Sequence, residues 1–372
     1  QPFGICWAQK LYRLTFKNYN NSSFDQLRKV GDPISDSAVE YIFNGNLHYM
    51  KDMHSPDILN KRLPSKIQNL IDDTKKRSYI IDKTVLNSGQ RLFARHATDI
   101  LFALFHAALP ECYAASRGSK VLVQNKNMVN NPRKRLFETS TFVKNVMDKN
   151  NFDNNNNGVF SCLELRFIHS LIRRNINEID LGEIPINQED MLGTIIAFSE
   201  VCLNGLENLG MNFDEKEADS FIMSWTYMGH MIGINKEILP QNRSDSQRLR
   251  KFISDRNHEY SNDGITLMQE LRRFQKKSLP IPGIHLVLDE LTSKMTHEKV
   301  SKALDLKSSK FAKRILSIIS KIYKIKAFTI NNFPFTKKII EKVEFMLLRN
   351  TLFVQSIIEN KRNPEELIKY KK

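Results

Sequence analysis

The sequence predicts an all-α fold, and three observations support this. Apolar residues recur at three- and four-residue spacing, as in Thr98-Asp-Ile-Leu-Phe-Ala-Leu-Phe-His-Ala-Ala-Leu109 and Met191-Leu-Gly-Thr-Ile-Ile-Ala-Phe-Ser-Glu-Val-Cys-Leu203. Alternating, strand-like runs are scarce. The 372 residues are 41% hydrophobic, enough to build a core without disulfides or structural metals.

Taken in order, the spacing predicts helices near 34–45, 89–108, 134–149, 162–175, 187–210, 214–233, 244–257 and 263–277, with several more after 286. Leu279-Pro-Ile-Pro-Gly283 interrupts a helix twice and supplies turn chemistry. It marks the expected boundary between a main helical domain, 1–280, and a basic helical C-terminal extension, 281–372. The charge distribution agrees. Net charge is +15, and residues 301–372 hold 17 Lys and Arg against 6 Asp and Glu. Within that stretch, Arg314 to Phe328 mixes cationic and apolar positions as an amphipathic helix does. Such a helix suits an anionic membrane surface or an acidic protein partner, the alternative being a solvated outer face. Nucleic-acid binding would rest on charge alone, because no binding motif is present and aromatic residues are not interleaved with the basic ones.

The apolar run Ile100 to Leu109 is too short to span a bilayer and contains His106. Cys6, Cys112, Cys162 and Cys202 form no C-x-x-C pair, so zinc, iron–sulfur and thioredoxin-type chemistry has no support and buried free thiols are expected. Sequons stand at Asn20, Asn21 and Asn242. A first residue of Gln1 carries the expectation that a targeting segment, secretory (ER) or mitochondrial, has been removed.

Four segments can carry chemistry. In Leu163 to Arg174, Arg166, His169 and Arg173 stand at i, i+3 and i+7, on one helical face. A neutral imidazole between two guanidinium groups suits a haem, the nitrogen binding iron and the cations meeting propionates or other anions. A hydrogen-bonded core histidine is the competing reading. In Arg133 to Thr141, Arg135, Glu138 and Thr139 share a face that can line the other side of a pocket, or simply face solvent. Pro185 to Thr194 places Asn187 or Gln188 at a helix cap, with Glu189 and Asp190 in the first turn. Trp225 to Ile234 has small residues for close helix contact and brings in His230. Separately, Asp153, Asn155, Asn157 and Glu164 match positions one, three, five and twelve of a calcium loop with Gly158 at six, although only two of them are carboxylates.

Together these segments resemble the family of the rubber (latex-clearing) oxygenases and the ER-bound oxygenases of mycophenolic acid biosynthesis. Gly31-Asp-Pro-Ile-Ser-Asp36, Arg135 with Thr139, R-x-x-H-x-x-x-R around His169, P-I-N-Q-E-D-x-L-G-T and W-x-x-x-G-H-x-x-G-I follow in family order over roughly residues 28 to 245. The resemblance implies a globin-like helical domain holding haem b, with His169 as axial iron ligand and Arg135 and Thr139 on the distal side, which puts Arg135, Glu138 and Thr139 at the catalytic positions; the residues' own pattern adds Arg166 and Arg173 beside the cofactor. It implies oxygenase or peroxidase-like chemistry on a hydrophobic isoprenoid or lipid. Two departures stand where activity would be decided. Glu138 replaces the family's lysine, and the upstream glutamate falls near Ser119. A non-catalytic family member serving as a structural or interaction subunit is therefore the rival expectation.

Overall fold

Helix starts are set by short polar side chains. Asp32, Asp82, Asn187, Asp214 and Asn242 each accept a backbone N–H of the turn they precede. The computed structural model describes residues 19–80, 82–124, 132–153, 156–176, 182–278 and 280–362. Its helices are α1 Asn21–Leu27, α2 Pro33–Phe43, α3 Ser65–Ser78, α4 Lys83–Arg95, α5 Ala97–Ala103, α6 Leu109–Ala114, α7 Ser116–Gln124, α8 Pro132–Met147, α9 Asn150–Asp153 and α10 Asn157–Asn175. There follow α11 Gln188–Ile196, α12 Cys202–Leu209, α13 Glu215–Met231, α14 Arg243–Asn257, α15 Asn262–Ser278, α16 Ile284–Met295, α17 Glu298–Ala303, α18 Lys310–Asn332 and α19 Pro334–Arg362. Among the described residues the fold is all-α, with no strand beyond one isolated bridge between Ala115 and His258.

The long apolar runs are not uniform helices. The predicted helix 89–108 is divided at His96 and then widens into a π turn over Leu104–Ala108. Pro110 accounts for the widening: it has no N–H, and its ring would clash with the carbonyl four residues back. A second π turn, Ala197–Val201, joins α11 to α12. Here side chains compete for the carbonyls, with Ser199 Oγ donating to Ile195 O at 2.8 Å and Cys202 Sγ to Ala197 O at 3.3 Å. The two π turns pack against each other at the centre of the main core.

The core is built around α4, α5, α11, α12 and α13, with Trp225 fully buried within it. Gly89 lets α4 and α13 cross closely, since a Cβ there would collide with Ser224 and the Ser220 carbonyl. The same core continues through Leu288, Leu291, Met295, Leu316, Ala327, Ile330 and Leu348, so apolar packing runs across the Pro-Gly turn near 280. Lys326 on α18 donates to Asp99 Oδ2 at 2.6 Å and Glu344 Oε1 at 2.7 Å, tying α18 and α19 to α5. Cys112, Cys162 and Cys202 are free thiols, the last two buried. No single described helix is long and apolar enough to cross a membrane. The bent pair Lys83–Arg95 with Ala97–Ala114 passes only as a pair, at 85°, and much of its apolar surface is core.

Candidate functional site

Both arginines flanking His169 turn toward the Gly31-Asp-Pro segment. Arg166 is fully buried. Its Nε and one terminal nitrogen grip the two Asp32 oxygens at 2.7 and 3.0 Å, and the other donates to Asp73 Oδ2 at 2.8 Å and Thr74 Oγ1 at 2.9 Å. Burial pushes the Asp73 carboxyl up, but hydrogen bonds from Arg77 and Arg166 hold it below the usual range. Arg173 donates to Asp36 Oδ1 at 2.8 Å, Ile186 O at 3.1 Å and Ser170 Oγ at 2.7 Å. All three nitrogens of each guanidinium are therefore committed. The anions these cations meet here are carboxylates of the fold, and the pairs bind α10 to α2, α3 and the segment before α11.

The other motifs join the same knot. Gln188 donates to Gly31 O at 2.7 Å and Gly233 O at 3.1 Å, and accepts from Asn235 N at 2.9 Å. Gly233 has φ +101°, and a Cβ there would collide with Asp32 Oδ2. Asn187 caps α11 as expected, accepting from Asp190 N at 3.0 Å. The acids behind it do more than favour a helix start: Asp190 accepts from Arg28 at 3.0 Å, and buried Glu189 from Arg256 at 3.0 Å and Asn257 at 2.7 Å. His230 lies beside Arg77, which donates to its backbone oxygen at 3.1 Å.

His169, between the two arginines, has a different environment. Burial, reinforced by the positive charges of Arg173 and Arg135, depresses its pKa to about 3. Its Nδ1 is buried with no hydrogen-bond partner, while part of the residue's surface stays accessible. Arg135, on α8, donates to Glu138 Oε2 at 3.0 Å, and its own Nε is buried and unpartnered. Glu138 itself is exposed, and Thr139 is half-buried one turn beyond Arg135. Tyr113 of α6, which no sequence motif singled out, feels the same cation: burial pushes its phenol up and the charge of Arg135 partly offsets that. The positive charge of Arg135 thus acts on both the His169 imidazole and the Tyr113 phenol. A neutral imidazole with an unpaired ring nitrogen can donate to a metal.

Ser119, at the position of the expected upstream glutamate, is buried and donates to Ser116 O at 2.9 Å. His106, in the first π turn, is buried and was not among the sequence's candidate site residues. Its Nδ1 is also unpartnered, burial lowers its pKa to about 4, and Phe102 and Phe105 pack on its ring.

The calcium reading is corrected for the described residues, of which Asn155 is not one. Asp153 closes α9, and α10 begins at Asn157, so positions five to twelve of the supposed loop are helical. Asn157 and Glu164 then stand about 10 Å apart along the helix axis, too far to share an ion. A Cβ on Gly158 would collide with the Phe152 ring, and Glu164 pairs with His54 Nδ1 at 2.9 Å. Among the described residues, no cluster of three His, Cys, Asp or Glu side chains could hold a metal ion.

Residues 95–322, more than half of the chain, match the family described as ER-bound oxygenase mpaB/B'/Rubber oxygenase, catalytic domain. The chain belongs to this oxygenase family. Its fold is similar to that of latex clearing protein LCP in the closed state, with a TM-score of 0.64 at 14% identity, over 86% of this chain and 91% of that one. No curated protein matches the chain. The family match begins at Arg95 and runs past the Pro-Gly turn into α18, so the family unit includes both sides of the boundary expected from sequence.

Proposed function

We propose that this protein is a haem b-dependent oxygenase acting on a hydrophobic isoprenoid or lipid, with His169 as axial iron ligand in a globin-like helical body. The observation that carries the reading is the half-buried imidazole of His169, held neutral and left without a partner at its buried Nδ1. Its donor chemistry fits a haem, for which a histidine is a common axial ligand. The saturated Arg166 and Arg173 do not fit propionate contacts. Arg135, with an unpartnered Nε, is the cation that does.

When bound, haem iron supplies dioxygen binding and activation. The residues of this chain prepare the place. The Arg166 and Arg173 clamps hold α10 at two points, one helical turn on either side of His169, and so fix the ring's position. Burial and the neighbouring cations keep the imidazole unprotonated at any pH near neutrality. Arg135 and the Thr139 hydroxyl present hydrogen-bond donors from α8, and Tyr113 adds a protonated phenol. The hydrophobic substrate class is supported by the family description and by the fold's likeness to a latex-clearing protein.

The test is the ultraviolet–visible spectrum of the purified protein, oxidised and dithionite-reduced, beside His169→Ala. A Soret band that weakens or shifts in the variant is expected. No Soret band after haem reconstitution, or one that His169→Ala leaves unchanged, overturns the assignment. A second reading, a family member without catalysis that serves as a subunit of a larger assembly, is favoured by one observation: Glu138 replaces the rubber-oxygenase lysine and binds Arg135. Haem binding without oxygen consumption on polyisoprene oligomers or unsaturated lipids would select it.

A further inference from the structure

The outer faces of α18 and α19 are apolar and, among the described residues, uncovered. On α18, Phe311, Ile318, Ile322 and Ile325 are each at least 60% exposed and recur at three-, four- and seven-residue spacing. On α19, Phe335, Ile339, Val343 and Met346 form a matching stripe. The two stripes meet at the corner between the helices, where exposed Phe328, Phe333 and Phe335 pack edge-to-face with ring centroids 6.5 and 6.0 Å apart. Such rows are not core residues left outside by chance. The same helices bury Ala312, Leu316, Ala327, Ile330, Leu348 and Leu352 on their inner faces.

Charge identifies the occupant. Arg314 and Lys321 border the α18 stripe, and Lys338, Lys342 and Arg349 border that of α19, all exposed. α18 contains six Lys and Arg and no Asp or Glu. The acids of α19 before Leu352 turn inward: Glu344 is buried between Lys326 and Thr98, and Glu341 is half-buried near Arg91 and Arg95. An apolar stripe with a one-sided cationic border and an aromatic corner matches the interface of an anionic bilayer. Apolar side chains there enter the acyl boundary while lysines stay at the phosphates.

We infer that the α18–α19 pair docks the protein flat onto anionic lipid, with the Phe328–Phe333–Phe335 corner as its wedge. Lys326, Asp99 and Glu344 hold the pair rigidly to α5, so docking orients the whole helical body relative to the membrane.

The test is flotation of the full chain with vesicles of phosphatidylcholine alone and with about one third phosphatidylserine. Binding to the anionic vesicles only is expected, weakening as salt rises and the Debye length shrinks. The Phe333→Glu/Phe335→Glu double variant changes only exposed positions. It should keep the parent's circular dichroism and thermal midpoint and bind anionic vesicles roughly tenfold or more weakly. No binding to anionic vesicles, equal binding to both kinds, or binding that the double variant leaves intact overturns the proposal. So does sedimentation showing that the face is closed by a second copy of this chain, with the double variant becoming monomeric and vesicles ignored.

Discussion

Arg166 and His169 lie one turn apart on α10, yet their surroundings are opposite in kind. Every nitrogen of Arg166 has a partner, the Asp32 and Asp73 carboxylates among them. His169 is half-buried, yet its Nδ1 is enclosed and has no partner. A saturated buried polar group holds the fold. An unsaturated one that also reaches the surface, as His169 does, is free to meet a ligand.

The comparison is easiest to break at Arg166. Arg166→Met strips Asp32 and Asp73 of their buried cation and should cost about 3 to 5 kcal/mol in denaturant unfolding. A variant as stable as the parent would show that the knot does not hold α10. Gly233→Ala comes next, because it strains a φ of +101° and pushes a methyl into the same Asp32 carboxylate. A loss of roughly 2 to 3 kcal/mol is expected, with Gln188 and Asn235 showing faster amide exchange nearby.

Acid sharpens the contrast from the other side. His169 and His106 are neutral in the fold, with pKa values depressed to about 3 and 4, but take up protons near 6.5 once unfolded. Between about pH 6.5 and 4 the unfolded chain binds more protons, so stability is untouched above that window and falls as pH drops through it. By pH 5 each histidine should remove about 2 kcal/mol, and His106→Leu should flatten the decline by about 1.4 kcal/mol per pH unit. A variant with the parent's slope would mean that His106 already finds a proton in the fold. The smallest effect belongs to His169→Leu, which should change stability at pH 7 by less than about 1 kcal/mol because no hydrogen bond is lost. A large loss there would make His169 a structural residue like Arg166.

Helix content was legible from sequence because the apolar residues of this chain follow a helical period almost everywhere. What the period cannot register is a residue inserted into a helix. Leu104–Ala108 and Ala197–Val201 read as ordinary helix, although Pro110 carried a local sign of the first. The motifs were legible as a group but not in their roles. Nothing in the spacing of Arg166 and Arg173 says that Asp32, Asp36 and Asp73 will reach them across the fold, so positive charge beside a histidine was read as cofactor chemistry. The calcium match failed because it scores side-chain types, whereas Asn157 to Glu164 takes the helical backbone of the rest of α10. Tyr113 left no mark, since the charge it feels from Arg135 arises only in the tertiary fold. At 280 a Pro-Gly turn marks a local break in the chain, but a core can close over such a break, and Leu288, Met295 and Leu316 do so.

The paired π turns bear on how this fold accepts changes in length. Each holds one residue more than an α-helix of the same span needs, and the helix on either side keeps its own register. Losing one residue from most of α11 or α12 would rotate everything after it by about 100° and turn the buried face to solvent. Losing one between Ala197 and Val201 would close the π turn into regular helix and leave Leu192, Ile196, Leu203 and Leu206 facing the core as before. That stretch is where relatives of different length can differ by one residue without repacking the centre of the molecule.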